Sequence, residues 1–338
     1  MGYQEGGKVN DRDSPQMSVV IVADHYETIR KTMRYIRAQI VRDRLEIVIV
    51  TQSADLLGLD PAEVADFLHV RVIEVDAIIS LSLALAAGVR QASAPIIALA
   101  ESHAYPGPGW AKALIEAHRQ PWAAVGPVIG NANPGSMTSW ASLFLDYGSC
   151  VETATVGVVD YLPGHNTSYK REILLQYDSQ LEAMMEAEVL LHWDMRTRGY
   201  QLYLDPTVKT YHLNVTQPSS WLPERFYTGR RFAAARALHW SPLRRLLYAG
   251  GTPLIPLVRL SRVLRDVRRS ARRHELLPRI LPPLIAGLVV SAVGELVGYT
   301  CGAGDTSARL AEMELHKARY VTPRDRQTLD ASLTSVPE

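Results

Sequence analysis

The first hundred residues alternate between two patterns of apolar positions. Short runs of consecutive apolar residues predict buried strands, and stretches with apolar residues three or four positions apart predict helices between them. This alternation predicts an α/β fold in which a mainly parallel sheet has helices on both faces. The predicted strands are 18–22, 45–50, 70–75 and 96–100, and the predicted helices are 28–40, 61–68 and 79–91.

The pattern becomes less regular after Trp110. Strands and helices are still predicted, but glycine- and proline-containing turns separate them more often. Gly199 ends one predicted helix, and Asp205-Pro206 lies between the last two predicted strands. The predicted strands are 122–129, 157–162, 201–204 and 208–212, and the predicted helices are 140–147, one that opens at Ser168, and 182–198.

Charge and hydropathy change in the last third of the chain. Residues 225–279 contain 14 arginines, no lysine and only two acids, and prolines interrupt the apolar runs 246–258 and 280–294. Both runs are shorter than the roughly 20 residues that a helix needs to cross a bilayer. We therefore expect interfacial or re-entrant segments whose arginines contact an anionic membrane surface. The alternative is a soluble helical hairpin packed on the main domain.

These patterns divide the chain into four parts. The contact with a membrane surface is assigned to residues 243–300, which overlap most of the strongly basic segment 225–279. The four parts are a disordered tail at 1–16, an α/β domain at 17–240, membrane-associating helices at 241–303, and a C-terminal helix with a polar tail at 304–338.

Composition and missing motifs exclude several classes of function. The net charge of +1 and the ordinary hydrophobic content give no sign of a nucleic-acid partner. The two cysteines, Cys150 and Cys301, lie far apart, which suits a reducing compartment, and no secretory signal is expected in 1–16. The chain contains no glycine-rich dinucleotide turn after the first strand, no P-loop and no Gly-x-Ser-x-Gly elbow. A Rossmann dehydrogenase, a P-loop NTPase and an α/β-hydrolase are therefore disfavoured.

The strand at 96–100 ends in two polar residues, Glu101 and His103. Ligands of open α/β sheets bind outside the carboxyl ends of the strands, so these side chains are candidates for chemistry. Together with His212, at the end of the last strand, they can hold a divalent ion, and imidazole ligands favour Mn²⁺ over Mg²⁺. The alternatives are an ordinary surface turn for 101–103 and a capped or core histidine for His212.

Taken in order, these segments resemble the family 2 inverting glycosyltransferases of the GT-A fold, over about residues 17–235. Residues 101–103 stand where the family has its metal-binding Asp-x-Asp, here Glu-Ser-His. Residues 163–166, followed by 170–172, resemble the loop that covers the sugar and the acceptor. Glu188 matches the second acid of the Glu-Asp motif that supplies the catalytic base, whereas the first acid is Ala187 here.

The resemblance implies a role for each remaining candidate. Glu188 is the expected general base, and its spacing from Met184, Leu191 and Met195 places it in an apolar helix stripe, which predicts a raised pKa. The implied nucleotide and diphosphate contacts are Ala23, Asp24, Tyr26, Gln52, Arg230 and Arg231, and the implied sugar or acceptor contacts are His165, Asn166 and Trp110. Each candidate also has a structural interpretation. Glu188 would be a buried acid paired with an arginine, and Trp110 would be a packing residue. His165, Asn166 and Tyr26 would belong to turns, and the two arginines would contact lipid headgroups.

The sequence thus predicts a metal-dependent inverting glycosyltransferase. Its donor is expected to be a nucleotide sugar, with UDP-sugar as the first choice, and its acceptor a lipid-linked molecule or a polysaccharide. We expect the protein at the cytoplasmic face of the inner membrane. A non-catalytic scaffold with the same fold is one alternative, since the motifs depart from the family pattern, and a transferase that uses S-adenosylmethionine is another.

Overall fold

The computed structural model describes residues 14–151 and 157–332, so most of the tail predicted at 1–16 lies outside the described residues. The strands are β1 (Met17–Val22), β2 (Leu45–Thr51), β3 (His69–Glu74), β4 (Ile96–Ala100), β5 (Ala104–Pro106), β6 (Ala124–Asn131), β7 (Gly157–Val159), β8 (Ser168–Lys170) and β9 (Leu202–His212). The helices are α1 (Tyr26–Arg37), α2 (Ala54–Leu57), α3 (Leu81–Gln91), α4 (Trp110–Ala117), α5 (Met137–Tyr147), α6 (Arg171–Leu175), α7 (Leu181–Met185), α8 (Glu188–Thr197), α9 (Pro218–Arg236), α10 (Pro242–Gly251), α11 (Ile255–Arg269), α12 (Arg273–Leu276), α13 (Leu281–Cys301), α14 (Thr306–Leu315) and α15 (Pro323–Ser332).

The strands form one sheet in the order β3-β2-β1-β4-β8-β6-β9-β5, with β7 paired to β9. The four strands β1 to β4 are mutually parallel, as predicted. In the second half, β8 runs antiparallel to both β4 and β6, and β5 and β7 run antiparallel to β9. Because β6 and β9 are parallel to each other, the second half is mixed, and the prediction of a mainly parallel sheet holds fully only for the first half.

The central strands are buried on both faces. Every residue of β1 and β2 is buried. Val20 and Val48 belong to the apolar cluster under α3, whereas Val19 and Ile47 belong to the cluster under α1. A parallel strand that helices cover on both sides needs consecutive apolar residues, which explains the continuous runs in the sequence.

Three predicted helices differ from the structure. Ser168 begins strand β8, and helix α6 starts only at Arg171. The helix predicted at 182–198 is divided into α7 and α8, because Ala187 between them has an extended backbone (φ −139°, ψ 95°). The segment 61–68 keeps only a short 3₁₀ turn at Pro61–Glu63. Such short elements carry too little periodicity to be recognised from the sequence.

The two strands predicted around Asp205 and Pro206 form a single strand, β9, with a bulge. Asp205 pairs with Pro127, and the next residue to pair is Lys209, opposite Val128. Within the bulge the Asp205 carboxylate accepts a hydrogen bond from the backbone N–H of Thr207 at 2.8 Å. The bulge thereby accommodates a proline without ending the strand.

Helix α13 packs directly along α9 through glycines. A Cβ on Gly294 would lie 2.1 Å from the carbonyl oxygen of Phe226, and one on Gly298 would lie 2.4 Å from that of Arg230. The two backbones therefore touch, and no larger residue fits at either position. The second apolar run is thus part of a helix seated against the body of the protein.

Among the described residues, α13 is the one helix long and apolar enough to cross a membrane, judged by length and composition only. It has 21 residues, more than the predicted run 280–294, because it continues through Glu295, whose buried carboxylate lies 3.4 Å from the Arg259 guanidinium. Within its most apolar window, 44% is buried inside the protein. A core helix of a soluble protein has the same properties, so membrane contact stays a prediction.

Candidate active site

The structure brings Glu101, His103 and His212 together. Glu101 follows β4, His103 precedes β5, and His212 ends β9 opposite Ala104. All three are buried, and one potential ligand atom of each lies within 4.8 Å of the others. Three segments far apart in the chain thus supply one carboxylate and two imidazoles to one end of the sheet.

A hydrogen bond orients the His212 imidazole toward the Glu101 carboxylate. The Nδ1 atom of His212 lies 3.0 Å from Oδ1 of Asn214, whose amide nitrogen donates to Asn131 and Asn133. Asn214 Oδ1 is therefore the acceptor, His212 Nδ1 carries the proton, and Nε2 keeps its lone pair. That Nε2 atom lies 3.5 Å from the Glu101 carboxylate. The sequence did not single out these asparagines, because nothing in their spacing shows that they meet.

The Nε2 atoms of His103 and His212 are buried and make no well-aligned hydrogen bond, although Glu314 Oε2 lies 3.2 Å from that of His103. Burial, and to a smaller extent the charge of Lys317, lower the pKa of His212 well below its ordinary value. This imidazole is therefore neutral. Buried nitrogens of this kind normally have a partner. Two imidazole nitrogens beside a carboxylate form a donor set that fits a divalent transition ion such as Mn²⁺ better than Mg²⁺.

The loop 163–166 connects this cluster to Glu188. The Asn166 amide donates to the Glu101 carboxylate at 3.1 Å, and its backbone is left-handed (φ 67°), which asparagine tolerates better than most residues. His165 Nε2 lies 2.9 Å from Glu188, and its Nδ1 lies 3.8 Å from Glu101. A Cβ on Gly164 would lie 2.7 Å from the carboxyl carbon of Glu188, so only glycine lets the loop approach this closely.

The electrostatics of Glu188 differ from the prediction. Burial raises the pKa of Glu188, but the charge and hydrogen bond of His165, with the charge of Arg231, outweigh burial and lower it to about 2. Conversely, burial lowers the pKa of His165, but the charges of Glu188 and Glu101 raise it to about 9. The predicted raised pKa is wrong because Glu188 begins helix α8 in an ion pair, rather than lying within an apolar stripe.

The two predicted diphosphate arginines lie in different surroundings. Arg231 lines the same cavity as Glu188. Arg230 instead donates to the carbonyl of Gly302 at 2.8 Å and so anchors the turn after α13. A diphosphate contact is therefore favoured for Arg231 and not for Arg230.

The nucleotide residues implied by the resemblance are only partly exposed. Ala23 is buried at the end of β1, Asp24 is half-buried beside it, and Gln52 is exposed after β2. Tyr26 is 1% exposed and belongs to the core cluster under α1, so it offers no face for stacking on a base. Trp110 is 2% exposed in the same cluster and is a packing residue, as its alternative interpretation had it.

A cavity of about 950 Å³ opens beside Glu188. Its size lies within the range of roughly 300–1,000 Å³ that small-molecule sites occupy. Arginines line it together with aromatic and aliphatic side chains. The cationic lining residues are Arg225, Arg231, Arg236, Arg259 and Arg262, and the apolar ones include Trp193, Phe232, Leu247, Leu254, Ile255 and Val258.

The sequence also missed a contribution from the C-terminal helices. Glu314 Oε2 lies 3.2 Å from His103 Nε2, and Lys317 Nζ lies 2.8 Å from Glu314. His316 Nε2 lies 3.1 Å from the Asp24 carboxylate. These residues belong to the part predicted as a C-terminal helix and polar tail, where isolated charges gave no signal of a site.

The overall fold is similar to that of a solved glycosyltransferase structure, and one end of its sheet holds a candidate metal centre. No family model matches the sequence, and no curated protein is similar to it. The structure is similar to that of the mannosyltransferase PcManGT from Pyrobaculum calidifontis in complex with GDP-Man and Mn²⁺, with a TM-score of 0.53 and 17% identity over 84% of this chain and 87% of that chain. It is less similar to S. aureus TarS 1–349 in complex with UDP, with a TM-score of 0.44 and 15% identity over 83% of this chain and 90% of that chain.

Proposed function

We propose that the protein is an inverting glycosyltransferase that moves a sugar from a nucleoside-diphosphate sugar to a hydroxyl or phosphate group. The observation that carries the proposal is the continuous array of Glu101, His165 and Glu188, which joins the candidate metal centre to a cavity of about 950 Å³. The similarity of the fold to a mannosyltransferase that binds GDP-Man and Mn²⁺ supports it.

Glu188 acts as the base in this proposal. As the acceptor oxygen bonds to the anomeric carbon from one face, the bond from that carbon to the diphosphate oxygen breaks on the other face, and Glu188 takes the acceptor proton. His165 hydrogen-bonds Glu188 and holds its carboxylate ionised. Glu101, His103 and His212 would hold a divalent ion, which would neutralise charge on the departing diphosphate. Arg231, which lines the cavity together with Glu188, adds a cation for the diphosphate.

Product stereochemistry tests this mechanism. We expect the purified full-length protein with Mn²⁺ to consume a UDP- or GDP-sugar and to give a product of inverted anomeric configuration, read by proton NMR. A product of retained configuration would contradict the single displacement. Complete absence of turnover and of nucleotide binding would favour the non-catalytic scaffold.

We further propose that the acceptor is a lipid-linked molecule and that the enzyme works at the cytoplasmic surface of the membrane. The cavity leads from Glu188 to α10 and α11, whose exposed leucines would meet hydrocarbon. Arginines flank them, and 14 arginines against two acids in 225–279 complement anionic lipid headgroups. The most exposed leucines of this region are Leu243, Leu246, Leu247, Leu254 and Leu257, each between 62% and 79% exposed.

Substitution of exposed leucines tests membrane contact without removing helix α13, which is part of the core. The double variant Leu246→Glu/Leu257→Glu is expected to lose most of its co-sedimentation with phosphatidylglycerol-containing vesicles, because two charges replace apolar contacts at the interface. Ile40→Glu/Leu56→Glu is the matched control, since both residues are about as exposed on the α/β domain (68% and 67%). Equal binding by both double variants would contradict the proposed membrane surface.

A further inference from the structure

The segment Thr306–Tyr320, here called the C-terminal strap, lies across the ends of β1 and β4. Its His316 contacts Asp24 at 3.1 Å, and the backbone carbonyl of Glu314 accepts a hydrogen bond from Ser102 at 2.9 Å. The Glu314 carboxylate lies 3.2 Å from His103. The strap thus binds the same residues to which the resemblance assigns the nucleotide and the metal-bound diphosphate.

The strap also reproduces the charges expected of a bound donor. The Glu314 carboxylate places an anion at the candidate metal centre, where a diphosphate oxygen would lie. Lys317 is 5% exposed and contacts Glu314 at 2.8 Å and Glu224 at 3.6 Å. Burial lowers the pKa of Lys317, but these carboxylates raise it well above its ordinary value, so it is a buried cation. A buried charge must be paired, and Glu314 of the strap pairs with Lys317.

The space left under the strap is too small for a donor. The cavity that Glu101, His103, His165, Glu314 and Leu315 enclose has a volume of about 20 Å³. That is room for about one water molecule, whereas small-molecule sites occupy roughly 300–1,000 Å³. A nucleoside diphosphate can reach Glu101 and His103 only after the strap has moved.

Both ends of the strap allow such a movement. It follows Gly302 and Gly304, whose positive φ angles of 76° and 58° mark a turn that glycine adopts freely. At the last residue of the strap, the carbonyl of Tyr320 accepts hydrogen bonds from the backbone N–H groups of Thr216 and Gln217. Between its ends the strap is attached through polar contacts such as Ser307 with Glu186 and His316 with Asp24, and through buried apolar side chains such as Leu315. The strap can therefore leave the site while its far end stays tethered.

We propose that the C-terminal strap is an internal ligand of the donor site, which a nucleoside diphosphate with its divalent ion displaces. This inference rests on the proposed function, because it takes the donor site from it. The strap then sets the apparent affinity for the donor, since binding must also supply the free energy of displacement.

Hydrogen exchange on the full-length protein tests the displacement. The arms are the protein alone, with Mn²⁺, with UDP or GDP, and with Mn²⁺ plus each nucleotide. With Mn²⁺ and a nucleotide that binds, peptides from 306–320 are expected to exchange about tenfold faster, while peptides containing 101–103 become protected. Protection at 101–103 with unchanged or slower exchange at 306–320 would overturn the proposal.

A variant with a weakened strap gives a second readout. Ser307→Ala/His316→Ala removes two attachments outside the candidate metal centre, and it is expected to bind UDP or GDP with Mn²⁺ about tenfold more tightly by calorimetry. Ala308→Ser, at an exposed position of α14, is the matched control and keeps the wild-type affinity. Equal affinity of the double variant and the wild type would contradict the proposed displacement of the strap, but it would not contradict the proposed donor site. Failure of every nucleotide to bind either protein overturns both.

Discussion

Replacement of Glu188 by glutamine is expected to lower the rate of sugar transfer by about 100- to 10,000-fold, the contribution of a positioned general base. Glutamine keeps nearly the same shape at the wall of the cavity, but it cannot take a proton from the acceptor. Although burial raises the pKa of Glu188 in the wild type, the charge and hydrogen bond of His165 lower it to about 2, so its carboxylate is ionised at neutral pH. The measurement is the initial rate with the donor sugar, with donor affinity determined separately by calorimetry.

Glu116→Gln is the matched control for this experiment. Glu116 is an exposed carboxylate on α4, paired with Lys112 at 3.7 Å on the surface. We expect the control to retain the wild-type rate, because exposed pairs contribute little. A Glu188→Gln protein that transfers sugar at the wild-type rate would show that another group is the base.

Replacement of His212 by alanine is expected to weaken Mn²⁺ binding by about 100-fold or more, because the loss of a ligand exceeds the 10- to 100-fold cost of losing a supporting partner. Asn214→Ala, which removes the acceptor that orients His212, is expected to weaken binding by about 10- to 100-fold. Calorimetry on protein freed of metal with a chelator measures both effects directly.

His69→Ala is the control for the metal experiment. His69 is exposed on the edge strand β3, and its removal leaves Mn²⁺ affinity unchanged. Thermal unfolding of each variant separates loss of a ligand from loss of the fold. If His212→Ala and the wild type bind Mn²⁺ equally well, the cluster at the sheet edge is not a metal centre.

The first half of the fold could be predicted from the sequence because its signals are local. Buried parallel strands have continuous apolar runs, so β1, β2 and β4 were found within one or two residues, and the partly exposed edge strand β3 was found equally closely. Glu101 and His103 were found for the same reason, since they stand directly after the apolar run of β4. His212 was found at the end of the last predicted strand, and the structure confirms that it meets the other two.

The remaining features depend on contacts between distant segments. Ala187 looks like an ordinary helix former, but its extended backbone turns Glu188 into a helix start beside His165. Tyr26 looks like an exposed turn residue, but it is packed inside the cluster under α1. The C-terminal strap contacts Asp24 and His103, which lie about 200 to 300 residues earlier in the chain. The periodicity of apolar residues reports local structure and does not predict contacts between such distant segments.

The bulge in β9 has a consequence for His212. The part of the strand before the bulge is aligned with β7, and the part after it is aligned with β5, where His212 lies opposite Ala104. Side chains alternate between the faces of a sheet, so a slip of one residue after Lys209 would turn the imidazole to the opposite side. The irregular step at Pro206 and Thr207 absorbs differences in chain length before they reach the histidine. We therefore expect an insertion at this step to lengthen the bulge and to leave the pairing of His212 with Ala104 unchanged.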